Sequence, residues 1–244
     1  MDVYGTKRQI PSGVDAFEDA LAQYRISLMS PSNGTIVTNI NYPQSQSGTI
    51  SHPPLATTNF KTRASRWTLT SAATAGTVIF HRPSLLGFSR DIGFNCVALG
   101  GITTLVAGQR WFMGIVDSGV NPTNVDPLTA TTPGRIGLAF NTNSGNLSLV
   151  RTITGAAPTV TDLGASFPVN ITDVWKLELS CSPAQASIDY RITNLSTAAV
   201  LTGNLSTNIP AAATLLGKQV WTTNNATALA CAIDLMRLYS RSNN

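Results

Sequence analysis

From Arg66 to its C-terminus the chain repeats one local pattern: a short β-branched or aromatic run, then a cluster of Gly, Pro, Asn or Asp. A dozen such runs follow one another, from RWTLTS and GTVIF to KQVWTT and ALACAIDLMRLYS. In WKLELS, Trp175, Leu177 and Leu179 fall on one face and Lys176, Glu178 and Ser180 on the other. Ile188, Tyr190 and Ile192 oppose Asp189 and Arg191 in the same way. A period of two marks strands buried on one side only. NTNSG, between RIGLAF and NLSLVR, is a five-residue loop with Gly145 available for a positive φ, so these two runs predict a hairpin. FNCVAL and ITTLVA read as two strands, with ALGGITTL as strand, turn, strand. The last run alternates through Ile233, Leu235 and, less cleanly, Arg237, which predicts a closing strand rather than a helix. Short strands at this spacing, without helical periods, predict an all-β, jelly-roll-like antiparallel β-sandwich over residues 61–244.

Residues 1–60 differ. SGVDAFEDALAQYRISLMS opens after Pro11 with Ser12 as N-cap candidate, Asp15 three residues on, and acidic groups in the first turns. Val14, Phe17, Leu21, Tyr24 and Leu28 recur at spacings of three and four, which predicts a short N-terminal helix. Its stripe either packs on the following domain or serves oligomerisation and attachment, as a short coiled coil or a docking helix. Residues 30–60 are dominated by Pro, Ser, Asn, Gln and Gly and cannot build a core, so they read as an extended arm, ordered where it pairs with a neighbouring chain.

Composition excludes several classes. The chain is 43% apolar yet only 11% charged, against roughly 25% charged in average soluble domains. Exposed positions must therefore be filled by Thr, Ser, Asn and Gly. The net charge of +4 reflects a shortage of carboxylates, with Glu18 and Glu178 the only glutamates. Lys61, Arg63, Arg66, Arg82 and Arg90 are spread over strand ends and turns rather than clustered into a nucleic-acid footprint. Cys96, Cys181 and Cys231 lie far apart in apolar runs and read as buried free thiols. The first thirty residues carry four acidic groups and no apolar core of a signal peptide, and no apolar stretch approaches the length of a membrane helix. The expectation is a soluble protein made in a cytoplasm and not inserted in a membrane.

The catalytic inventory is nearly empty. Sugar hydrolysis needs two carboxyl groups about 5–9.5 Å apart, but the sandwich holds one glutamate, Glu178, facing outward beside Lys176. Asp173 and Asp189 lie nearby in sequence without an E-x-D-x-E-like spacing. Two histidines, His52 and His81, cannot supply a His₃ site, and no G-x-S-x-G elbow or phosphate-cradling glycine motif occurs. The expectation is therefore a non-enzymatic protein without a cofactor. Trp67, Trp111, Trp175 and Trp221, each at a strand end, read first as core plugs and second as sugar-stacking platforms. In WFMGIVDSGVNPTNVDPL, Asp117 and Asp126 stand nine residues apart, with Pro122 between them and Pro127 directly after. That spacing suits a long inter-strand loop better than a calcium loop. Asp117, Asn121, Asn124 and Asp126 are then candidates for a surface contact loop at one end of the sandwich.

Residues 105–239 carry an ordered string: RWFMGIVD, NVDPLT, GRIGLAFN, NLSLVR, TDLGASFP, WKLELS, IDYRITN, TGNLSTNIPAAATLL and AIDLMRLYS. This string resembles a C-terminal lectin-like jelly-roll domain of fibre and other minor structural proteins of tailed bacteriophages; TDLGASFP and VDPLT are its more specific pieces. The resemblance implies a non-enzymatic virion protein, a homotrimeric tail- or head-fibre subunit. Residues 1–60 would attach it to other virion proteins, and the sandwich would be displayed for host-surface or virion contacts. A carbohydrate-binding receptor-recognition lectin module, binding host surface glycan, is the alternative; a glycan-degrading enzyme is a third.

Overall fold

The computed structural model describes residues 24–29, 48–82 and 86–243. Every strand pair is antiparallel, and the strands form two sheets. The larger runs from edge to edge through β12 (Ala199–Leu205), β11 (Ile188–Asn194), β10 (Val174–Cys181), β5 (Phe94–Thr104), β14 (Ala232–Asn243), β3 (Trp67–Ser71) and β2 (Gly48–Ser51). The smaller runs through β4 (Val78–His81), β13 (Gly217–Thr223), β6 (Arg110–Val116), β7 (Arg135–Phe140), β8 (Ser148–Thr152) and β9 (Thr159–Asp162). The core between them holds Trp111, Met113, Ile136 and Leu138 from the smaller sheet against Trp175, Leu177, Leu179 and Leu235 from the larger. Trp111 and Trp175 meet at 5.9 Å between ring centroids, and Trp111 lies 5.8 Å from Phe140. Each buried tryptophan removes roughly 150–250 Å² from water, about 4–6 kcal/mol of transfer free energy. The expected sandwich is what forms, and the tryptophans are core residues, all four at most 4% exposed.

The period-two faces of β10 and β11 are as expected. Trp175, Leu177 and Leu179 are buried, while Glu178 on the opposite face pairs with Lys176 at 2.9 Å. The β7–β8 hairpin also forms. Gly145 is not among the positive-φ glycines there. Asn141 closes the turn instead, its Oδ1 accepting from the Asn143 amide and the Ser144 hydroxyl, both at 3.1 Å. All three cysteines are buried free thiols.

Three expectations need correction. The helix expected over residues 12–30 is not what Tyr24–Met29 forms: this segment is β1, paired with Leu238–Asn243 of β14. β3 covers only Ala232–Leu235, so the rest of that β14 edge has free backbone groups, and YRISLM, which alternates apolar with polar residues, fills it. The other residues of the expected stripe, Val14, Phe17 and Leu21, lie outside the described residues. Nor does the larger sheet begin at residue 60. β2 pairs with β3 from Gly48 onward, and Phe60–Arg63 is a one-turn helix, α1, capped by Asn59. Finally, FNCVAL and ITT are one continuous strand. Gly100 and Gly101 make no turn but admit close backbone crossings: a Cβ would lie 2.6 Å from the Asp234 carbonyl oxygen at Gly100, and 2.7 Å from that of Asp173 at Gly101.

β14 explains the imperfect alternation at Arg237. A bulge between Leu235 and Arg237 shifts the phase, so Leu238 rather than Arg237 points into the core. Arg237 is exposed.

Candidate functional site

The central strands of the smaller sheet are buried on both faces, and this locates the site. In β6, β7 and β13 no residue is exposed. Their core-facing positions alternate with a second apolar set, Phe80, Phe112, Val116, Ala139, Val150 and Trp221, on the opposite face. Such strands read as near-continuous apolar runs. The cover is the loop between β6 and β7, residues 117–134, which sets Leu128 on this second cluster.

Sheet register sorts the outer face into rows. One row is bulky: Phe80, Trp221, Phe112 and Ala139 stand side by side on β4, β13, β6 and β7. Trp221 and Phe112 stack at 6.3 Å with ring planes 28° apart. The next row is Gln219, Gly114 and Gly137. Two adjacent glycines leave the sheet bare there. The Phe112 ring leans over Gly137, where a Cβ would lie 2.7 Å from it, and a Cβ on Gly114 would collide with the Ile136 carbonyl. The following row brings Val116 beside Arg135. A glycine floor flanked by long side chains and roofed by a loop leaves a cleft of about 410 Å³. Gln219, Arg135, Trp221 and Phe112 line it from the sheet, Asp117 and Asn121 from the loop.

The polar groups of the cleft differ in how well they are satisfied. Asp117 accepts the Thr154 hydroxyl at 2.9 Å and packs so closely on Gly134 that a Cβ there would clash with its carboxylate. Asn121 accepts from Arg82 Nε at 2.9 Å. Arg135, 2% exposed, donates through one terminal nitrogen to the Ala130 carbonyl, while its Nε has no hydrogen-bond partner. Burial pulls its guanidinium down to about 10 against the opposing pull of Asp126 and Asp117. Gln219 is also 2% exposed as a residue, and it lines the cleft; its carboxamide atoms are not among the buried polar atoms left without a partner.

Of the loop residues singled out from sequence, Asp117 and Asn121 reach the cleft. Asn124 turns toward Arg110 and Thr223, accepting from Thr223 Oγ1 at 3.1 Å. Asp126 holds the loop's own shape, accepting the Leu128 amide at 2.9 Å and the Asn141 side chain at 2.8 Å. Both aspartates therefore serve protein donors, and among the described residues no three His, Cys, Asp or Glu side chains come together as metal ligands would. The remaining carboxylates are dispersed. Asp173 accepts from Asn194 at 2.8 Å, Asp189 from Asn204 at 2.8 Å, and Glu178 pairs with Lys176. Gln219, Arg135 and the glycine pair were not singled out from sequence. The available signal was a glycine inside each of RWFMGIV and RIGLAF, which marks close approach in a strand. That the two stand side by side beneath Gln219 depends on register.

No protein-family model matches the chain, and no curated protein matches it by sequence. Its fold does match solved structures. Protein SO2946 of Shewanella oneidensis MR-1, of unknown function, aligns with a TM-score of 0.61 at 11% identity, over 91% of this chain and 87% of that one. The carbohydrate recognition domain of Emp47p aligns with a TM-score of 0.59 at 10% identity, over 95% and 100%. A conserved carbohydrate esterase from the Shiga toxin-encoding bacteriophage phi24B aligns at 0.50 with 14% identity, over 84% and 91%. At these identities the likeness is one of fold, and the fold is a lectin-like jelly-roll sandwich.

Proposed function

We propose that the protein is a non-enzymatic glycan-binding module that holds a saccharide in the cleft over Gly114 and Gly137. The observation that carries this reading is the Gln219 carboxamide, which lines the cleft floor beside the Trp221–Phe112 pair. A carboxamide both donates and accepts, as a sugar hydroxyl does, and Arg135 Nε adds a donor nearby. A few such polar groups against aromatic walls are what a small-ligand cleft needs. The carbohydrate recognition domain with this fold supports the same reading. Acid–base hydrolysis is disfavoured because Asp117 is the only carboxylate among the residues lining the cleft, and it is engaged by Thr154.

The test is a glycan array of bacterial envelope saccharides, followed by calorimetry on the hits with the wild type and Gln219→Leu. The variant should bind at least about tenfold more weakly, the loss of one to two hydrogen bonds, and keep its melting temperature. No binding across the array, or equal binding by both proteins, refutes the assignment.

A second reading concerns where the module works. We propose that it is a subunit of a bacteriophage appendage, attached through its N-terminal segment. The motif string within residues 105–239 and the low share of charged residues, with Thr, Ser and Asn abundant, support this. Because β1 and β2 belong to the larger sheet, attachment is best tested by deleting residues 1–23 alone. The truncated protein should fold normally and be lost from particles; normal incorporation refutes the attachment role.

A further inference from the structure

Among the described residues five strands pair on one side only: β1, which carries Arg25, and β2, β4, β9 and β12. β2 and β4 have four residues each, β2 running on into His52-Pro53-Pro54 and β4 into Arg82-Pro83. β9 also has four and ends on Asp162. Short length, prolines and charges are the usual means of keeping a sheet edge from pairing with another chain. β12 has none of them. It is seven residues long, AVLTGNL, without a charge or a proline, and its register with β11 is unbroken. Its solvent-facing residues Val200, Thr202 and Asn204 are exposed, with Val200 at 47%. Charges stop one strand earlier, at Asp189 and Arg191 of β11.

We infer that β12 is a self-pairing edge, which joins two copies of this chain by antiparallel β12–β12 association about a two-fold axis through Thr202. Centred there, the sequence is self-complementary: Thr202 meets Thr202, Leu201 meets Gly203, Val200 meets Asn204 and Ala199 meets Leu205. No charge opposes a charge. The Leu201–Gly203 match sets a large residue against a bare one. At Gly203 the Tyr190 ring fills the missing Cβ's place, 2.6 Å from where that atom would be, so Leu201 of the second copy would pack on this ring. Leu201 and Ala199 are only half-buried against the core, and pairing would complete their burial. An isologous contact of this kind closes at two copies. It therefore differs from the trimer that the motif string implies, and it does not depend on what the cleft binds.

Engineered cysteines test the register. On the axis, paired Cα atoms stand about 4.5 or 5.5 Å apart, within disulfide reach. Val200 is about 13 Å from its own symmetry mate. The three native thiols are buried and do not compete. Under oxidised glutathione, Thr202→Cys should form a covalent dimer, Val200→Cys alone should not, and Val200→Cys/Asn204→Cys should. Thr202→Lys, which places like charges on the axis, should shift the wild-type dimer to monomer in sedimentation velocity while the far-UV circular dichroism of the folded sandwich is unchanged. A wild type that stays monomeric at every concentration, a trimer that T202C does not crosslink, or equal crosslinking by T202C and V200C overturns the inference.

Discussion

Replacing Asp234 by alanine should cost about 3–5 kcal/mol, the range for breaking a buried ion pair, and so a large share of a typical domain's stability of about 5–15 kcal/mol. Asp234 is 1% exposed on the side of β14 turned away from the core. Its carboxylate receives the Thr68 hydroxyl at 2.5 Å and lies 3.3 Å from Arg66 Nε and 3.7 Å from Lys61 Nζ. Lys61 also donates to the carbonyls of Ile102 and Ile171 at 2.7 and 2.6 Å. One carboxylate therefore anchors α1 and the start of β3 across the larger sheet. Without it, two buried cations lose their counter-charge. Burial already depresses the Lys61 pKa, with Asp234 opposing that shift. Urea unfolding of Asp234→Ala beside the wild type checks the value; a loss under about 1 kcal/mol would show the cluster to be a solvated surface pair. Asp234→Leu combined with Lys61→Met and Arg66→Met should recover much of the loss.

This cluster shows what could be read from sequence and what could not. The alternation in WKLELS and IDYRIT required only local geometry, and those strands are where their pattern places them. The smaller sheet is harder to read because its central strands are buried twice. RWFMGIV and RIGLAF carry no polar face to announce an outside, so the second apolar layer and the cleft beneath the loop become visible only once register aligns Gln219, Gly114 and Gly137. Asp234 and Lys61 are 173 positions apart, and nothing in the chain's local pattern joins them. The 24–29 segment failed for the opposite reason. Its three-and-four spacing was real, but a six-residue piece of it fits an open sheet edge equally well, and the edge decided. The loop residues divided along the same line. Asp126 and Asn124 proved to be loop architecture, whereas Asp117 and Asn121 reach the cleft beside a glutamine whose position depends on a strand a hundred residues away.

Replacing Lys218 by methionine should stabilise the protein at pH 7 by about 2 kcal/mol and change how stability depends on pH. Lys218 faces the core from β13, 2% exposed, with Nζ 3.5 Å from the Leu238 carbonyl. Burial brings its pKa from 10.5 down to about 8, opposed by the Cys96 thiol. Below pH 8 the charged amine is carried into the core at a cost of about 3 kcal/mol, at about 1.4 kcal/mol per pH unit. Part of the gain on its removal is returned with its hydrogen bonds. Between pH 8 and 10.5 the unfolded chain holds a proton that the folded one has lost, so wild-type stability rises with pH. Lys218→Met should abolish that rise. His81 gives the acid limb. Burial first, and the Lys218 charge second, hold its pKa at about 3 rather than 6.5. Its contribution is complete above pH 6.5 and is lost as pH falls toward 3, by about 4–5 kcal/mol in all. Because Lys218 is one cause of that depression, Lys218→Met should also raise the His81 pKa and make the variant less sensitive to acid. The two limbs are thus coupled through one side chain, and urea unfolding from pH 3 to 10.5 reads both. A wild-type profile that does not rise above pH 8, or a variant that loses stability to acid as steeply as the wild type, would mean that Lys218 and His81 are not the groups that set it.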